Sequence, residues 1–424
     1  MKAISPFGLP LGISITFWTI VGLLRLVTTT FFSFAKIKNN GEVLKPSDIA
    51  VLLPAHNEEV VVRDSIKALV NLVDQKQIYV VSDGSNDKTH RRAKMENCHV
   101  SKLDPGRGKA KAMLYLIKRF HLFERYKLIF IVDADTRIDI NFLKKALPFF
   151  EDPEIGAVFA TARITWPPHI IPRLKYYFIA YRERLNRMLQ YFMIYGQTWK
   201  YTNAPYVIPG FATIYRSKIL SQLEMDTPGI LIEDFNLALQ FYKKKLGRVG
   251  YSPGIIGWDQ HPDNLKDYWN QVRRWNIGFF QSVRKNGVWP SFFWLALGIF
   301  SLEVFIHSIF LLLLPLAIIS LLIPILPFAN EILDGYRSFY QTFGFYKDLT
   351  LMDIFIFVFL FDYIMTVVIG LINKKPQFVF YGIFFFFMHY VTALILISSL
   401  IPGFLGSSKG RWSSPARRTE VATS

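Results

Sequence analysis

Cysteine is almost absent from this chain of 424 residues: Cys98 stands alone, so no intrachain disulfide can form, and the composition fits a reducing compartment. Acidic residues are scarce too, 32 against 49 Lys and Arg, leaving a net charge of +17. That imbalance points to anionic lipid or phosphate-bearing ligands. Nucleic acid, the third common polyanion, is excluded as an expected partner because no helix-turn-helix, zinc-finger or RNA-binding signature occurs. Internal repeats are missing, and low complexity is confined to the four phenylalanines 384–387, read as lipid-facing helix. The first apolar run, 11–34, lacks a small-residue cleavage site and is too long for a signal-peptide core, so it reads as a retained anchor.

Long apolar runs are what the chain does have. Besides 11–34 they cover 291–328, 351–372 and 378–401, each at or above the roughly 20 residues needed to cross a bilayer. Lys36, Lys38 and Lys45 follow the first, which places the central segment in the cytoplasm at a bacterial-type inner membrane. The tail basic residues and Lys374 with Lys375 also favour the cytoplasm, so one later run must be interfacial or broken. Run 291–328, with Glu303, His307, Pro315 and Pro324, is the candidate. Glu303 there reads either as facing a polymer path or as lying at the interface.

Between 47 and 257 apolar strands alternate with helical periodicity. Runs 48–55, 77–83 and 127–135 are strands, with a further short one near 98–103. Helix faces fall on Val62, Ile66, Leu69, Val70 and Val73, and on Ala110, Met113, Leu114, Ile117 and Phe120. The pattern predicts an α/β, open doubly wound layer with a parallel sheet, whose ligand site lies at the carboxyl ends of the strands. A basic amphipathic helix over 172–195, with Arg182, Arg184 and Arg187 between apolar positions, suits a membrane surface.

Acidic and turn-forming residues sit at the strand ends. Glu58 follows the first strand, Asp83 ends the second within SDGSND, and Asp133 and Asp135 close another in DAD. Paired hard-oxygen ligands can hold a divalent cation together with phosphates, although Asp-rich turns also serve as caps. Asp83 can accept from a base or ribose, and Asn86 or Asp87 can cap the next helix. Lys109 opens a helix whose amides favour anions. Glu233 and Asp234 open another; the spacing leaves a cap and a general base equally open. In QVRRW, Gln271, Arg274 and Trp275 pair a guanidinium fork, suited to phosphate, with an indole face, suited to a pyranose; a snorkelling interface belt is the alternative.

Taken in order, PAHNEE, SDGSND, GKA, DAD, ED and QVRRW followed by spans, the chain resembles the processive family 2 glycosyltransferases, the hyaluronan, cellulose, chitin and poly-N-acetylglucosamine synthases. The tail GRWSSPARR is similar to the W-x-x-P-x-R ending of the last group, so an N-acetylglucosamine donor leads. The resemblance implies a GT-A-like domain at 47–258, inserted between an anchor at 1–46 and, after an interfacial helix within 259–290, a transmembrane region at 291–402 with a basic tail at 403–424. Pro54, Glu58, Asp83, Lys109, Asp133 and Arg274 would then bind the nucleotide sugar, and Asp133 with Asp135 would hold Mg2+ or Mn2+. Asp234, beside Glu233, would be the catalytic base, and Gln271 and Trp275 would meet the acceptor. The implied partners are a UDP-sugar, an oligosaccharide or polysaccharide acceptor and membrane lipid, with an accessory membrane subunit left open.

Two departures stand out: Ile232 occupies the usual threonine position before Glu-Asp, and Pro209 replaces a small hydroxyl residue before Gly210. The first reading is an inverting synthase that extends a polysaccharide from a UDP-sugar and threads it out between its own helices; transfer of one sugar to a lipid phosphate or protein is the second, and a non-catalytic membrane scaffold or channel the third.

Overall fold

A computed structural model of the protein describes residues 40–166, 173–192, 203–325, 331–344 and 350–407. The expected anchor at 11–34 and the basic tail motif at 410–418 lie outside the described residues.

Strands β1 (Ile49–Ala55), β2 (Ile78–Asp83), β3 (His99–Leu103) and β4 (Leu128–Val132) form the parallel part of one eight-stranded sheet, in the order β3-β2-β1-β4. Every residue of β1, β2 and β4 is buried, as strands covered on both faces require. The crossovers carry helices α1 (Val62–Val70), α2 (Thr89–Lys94) and α3 (Lys109–Phe120). Connections leave β1 toward β2 on one side and reach β4 on the other, so the crevice of a topological switch opens between β1 and β4.

An all-parallel layer, expected from the sequence, is half of what forms. Beyond β4 lie β7 (Ala212–Arg216), β6 (Ile155–Ile164), β8 (Arg248–Asp259) and β5 (Arg137–Ile138). There β7 runs antiparallel to both neighbours, and β5 antiparallel to β8. The strand–helix alternation that signals parallel pairing stops at β4, and β6 reaches β7 only after the chain has passed through α4 (Arg173–Phe192).

The expected face of α3 is also rotated. Ala112, Met113, Leu116 and Ile117 are buried, whereas Ala110, Leu114 and Phe120 are half-buried. Lys109, three and four residues before Ala112 and Met113, shares their side of the helix, and its turn toward the sheet sets the rotation.

Helix α4 does not present its arginines to a membrane surface. Arg182, Arg184 and Arg187 are buried between β6 and two later helices, α9 (Phe361–Ile372) and α10 (Gln377–Gly382). Buried charges need partners, and Arg184 pairs with Asp362 while its Nε donates to Thr366 Oγ1 at 3.1 Å. Arg187 Nη2 donates to Glu183 Oε1 at 3.0 Å, and the Trp166 indole N–H donates to the same carboxylate.

The remaining helices are α5 (Glu233–Lys243), α6 (Leu265–Asn286), α7 (Phe292–Leu322), α8 (Glu331–Phe343) and α11 (Phe385–Leu405). Among the described residues two helices, Phe292–Ile325 and Phe385–Leu405, are long and apolar enough to cross a membrane. Many of their large apolar side chains, Leu295, Ile299, Leu302 and Ile401 among them, point outward without protein cover. The run expected to break, 291–328, contains an unbroken 31-residue helix despite Pro315. Run 351–372 is helical throughout, with a π-helical segment at Phe355–Leu360 before α9. Glu303 is buried in α7. The phenylalanine run is only partly outward: Phe384 and Phe387 are exposed, but Phe385 packs on Tyr177 and Tyr181.

Removing one member of a buried ion pair strands the other. Arg184→Ala is therefore expected to cost about 3–5 kcal/mol, read as a lower thermal midpoint in detergent. Pairing it with Asp362→Leu should restore most of the loss.

Candidate active site

The loop after β2 folds back on the loop before α3, and two glycines permit it. Gly84 has φ +63, and a Cβ there would lie 2.8 Å from the Gly106 backbone. Asp83 fastens this junction: its two carboxylate oxygens accept the backbone N–H groups of Arg107 and Gly108, both at 2.7 Å. Asp87 accepts from Thr89 N–H at 2.9 Å and caps α2, one of the two alternatives read from the sequence. Pro54 is buried within β1 opposite Val81. Neither Pro54 nor Asp83 is among the residues that line the site cavity.

That cavity, of about 590 Å³, opens at the switch between β1 and β4. Glu58, Lys109, Asp133, Asp135, Glu233 and Asp234 line it, and so do Gln271, Arg274 and Trp275 from α6. Side chains scattered from the first strand to the helix that precedes the long apolar ones thus share one chamber.

Lys109 is its electrostatic hub. Its Nζ lies 2.9 Å from Asp133 Oδ1 and 2.8 Å from Glu233 Oε1. Burial alone would lower the lysine, yet Asp133, Glu233 and Asp234 together hold its pKa well above the ordinary value, so it stays charged. Among the carboxylates, burial raises Asp133 against the pull of Lys109. Burial would raise Glu233 too, but Lys109 outweighs it and holds that group below its usual range. Asp234 is pushed up to about 7, chiefly by burial and then by the neighbouring Glu233, with Lys109 opposing.

Both acids sit in the first turn of α5, whose N-cap is Ile232. Lacking a hydroxyl, Ile232 makes no side-chain cap. It packs instead where a Cβ on Gly278 of α6 would be 2.9 Å away, locking α6 against α5. The Asp234 carboxylate accepts the backbone N–H of Gly210, which helps to hold its pKa down, and its Oδ1 is shut off from solvent, as is Gln271 Oε1.

Asp133 and Asp135 supply hard oxygens, but among the described residues no group of three or more metal-ligating side chains is gathered. The pair fits a divalent ion that draws the rest of its shell from a diphosphate and water, as Mg2+ commonly does.

Residues not singled out as site residues complete the wall. Arg182 lies with Cζ 4.4 Å from the Trp275 ring centroid, so one face of the indole is already covered by a guanidinium. Its Nε donates to His261 Nδ1 at 3.3 Å, which leaves Nε2 as the protonated nitrogen facing Asp259 Oδ2 at 3.0 Å. Arg182, Asp259 and His261 all line the cavity. The polar run DQH at the end of the apolar strand β8 was a usable signal for two of them; Arg182 was hidden in a helix read as surface-facing.

A mixed sheet with its acids gathered at the switch point defines a GT-A-like glycosyltransferase fold. The mannosyltransferase PcManGT of Pyrobaculum calidifontis, solved with GDP-Man and Mn2+, superposes with a TM-score of 0.52 at 14% identity, covering 93% of this chain and 98% of that one. The model for Glycosyl transferase family group 2 matches residues 128–400, and the chain belongs to that family. A probable glycosyltransferase of Bacillus subtilis (strain 168), YdaM, is 29% identical over 272 residues, 58% of this chain and 61% of that protein. This chain therefore aligns with under two thirds of the length of that relative.

Gly210 precedes β7, and a Cβ on it would collide with Asp234 Oδ1 and lie 3.0 Å from Lys109 Nζ. Gly210→Ala should displace the acid and lower turnover about 10²-fold, as misplacements of about 1 Å do. Donor turnover beside a fold check by circular dichroism measures this.

Proposed function

We propose that the protein is a membrane-embedded, inverting glycosyltransferase that moves a hexose or N-acetylhexosamine from a UDP-sugar to an acceptor hydroxyl. The observation that carries this is the placing of Asp234 at the start of α5, close against the backbone of Gly210, in the chamber that holds Lys109 and Arg274, where burial pushes its carboxyl up to about 7. A base poised near the working pH is what removal of a hydroxyl proton calls for.

The carboxylates divide into roles because their surroundings push their pKa values apart. Glu233, kept ionised by Lys109, stays negative and fixes the lysine; Asp234 exchanges a proton. Arg274, on the same wall, suits the oxygens of a departing diphosphate. Asp133 and Asp135 would hold Mg2+ or Mn2+, which when bound offsets the charge of that leaving group. Because Arg182 covers one face of Trp275, an acceptor sugar must use the opposite face or the edge. The apolar helices with uncovered side chains support a membrane setting.

Membranes carrying the protein, given labelled UDP- and GDP-sugars with Mg2+ or Mn2+, should transfer label from one donor. Asp234→Asn should reduce transfer about 10²–10⁴-fold and leave nucleotide binding intact. Burial disfavours ionised Asp234 in the folded state, so the variant should lose no thermal stability at neutral pH. Wild-type rates should fall as pH drops through about 7, where the base becomes protonated, and this limb should vanish in the variant. Full turnover by Asp234→Asn would refute the assignment.

A further inference from the structure

The chamber does not end at the catalytic acids. Helix α6 carries Gln271, Arg274 and Trp275, and one turn further Phe279 and Phe280 line the same cavity. From there it runs between α7 and α11, the two helices long and apolar enough to cross a membrane, along Leu297, Val304, Leu396 and Leu400, with Ser301 and Thr392 the hydroxyl side chains that these helices add to the lining. Hydrocarbon walls of this kind offer a polysaccharide few hydroxyl partners. Beside Trp275, the cavity presents Arg182, oriented by the Asp259–His261 chain.

We propose that the acceptor is an anionic lipid whose head presents a free hydroxyl beside a phosphate. The hydroxyl meets Asp234, the phosphate meets Arg182, and the chain lies in the apolar arm between α7 and α11. The inference rests on the glycosyltransferase reading and names its acceptor class. A base at Asp234 requires an O–H nucleophile, which disfavours direct transfer onto a bare lipid phosphate, since that anion needs no proton removed. In the step, Asp234 takes the acceptor proton and the acceptor oxygen bonds to the anomeric carbon. The bond from that carbon to the donor phosphate oxygen breaks, its electron pair leaving with the nucleoside diphosphate.

The full chain in nanodiscs, with Mg2+ or Mn2+ and the labelled donor panel, tests this against four acceptors: phosphatidylglycerol, a prenyl-diphosphate-linked N-acetylglucosamine, diacylglycerol and a soluble oligosaccharide. Donor hydrolysis without acceptor reports the transferase reading by itself. Label is expected in the organic phase with one of the first two, which separates a glycerophospholipid from a prenyl-linked sugar, at least tenfold above diacylglycerol. Arg182→Gln should raise KM for that lipid at least tenfold, with Arg182→Lys partly restoring it, and Leu396→Trp should cut lipid product while Leu396→Met retains it. Donor hydrolysis with label only on diacylglycerol or only on the oligosaccharide overturns the lipid assignment and leaves the transferase standing. Absence of hydrolysis with every donor overturns both.

Discussion

One ammonium group holds the site together. Asp133 follows β4 while Glu233 and Asp234 adjoin one another in the first turn of α5, and the three would repel one another in one chamber; Lys109 contacts two of them directly and opposes the rise in pKa of all three. Like charges at close range in a low-dielectric site cannot all ionise without such a counter-charge. The asymmetry of its contacts also creates function. Glu233, in direct ion pair with Nζ, is held ionised, while Asp234, which has no such ion pair among the described residues, is pushed up to about 7 and becomes able to exchange a proton.

The fold serves that contact from both sides. The parallel half brings Asp133 to the end of β4 and Lys109 to the first turn of α3, at the switch in strand order. The antiparallel half brings Gly210, whose missing side chain lets Asp234 and Lys109 approach. Helix α6 then joins this polar chamber to the apolar helices α7 and α11, so polar and apolar lining share one wall. Helix α4 braces the arrangement with arginines turned inward, on Asp362 at Arg184 and on Trp275 at Arg182.

Much of this was legible because it rests on short-range chemistry. DAD and ED mark the ends of apolar elements, and QVRRW places cation beside indole, so Asp133, Asp135, Glu233, Asp234, Arg274 and Trp275 could be picked out and do line one cavity. The strands β1 to β4 were equally plain, since buried parallel strands read as unbroken apolar runs. Partner choice was not readable. Asp83 reads from the sequence as a ligand group; that its two oxygens also accept two backbone amides is something only the folded loop brings about. Basic residues at helical spacing look alike whether they face lipid or an acid; Arg184 was settled by Asp362, far along the chain. The antiparallel second half was hidden for the same reason, because pairing direction is fixed by long-range return paths rather than by local pattern.

Thermal unfolding of Lys109→Met followed from about pH 5 to 8 tests the central claim most directly. Without the ammonium the clustered carboxylates rise further in pKa, so their ionisation in the folded state becomes the cost. The variant should be markedly less stable than wild type above pH 7 and should approach it as the pH falls and the raised carboxylates take up protons in the folded chain while those of the unfolded chain stay ionised. A deficit that is absent, or that stays constant across the range, would contradict the account.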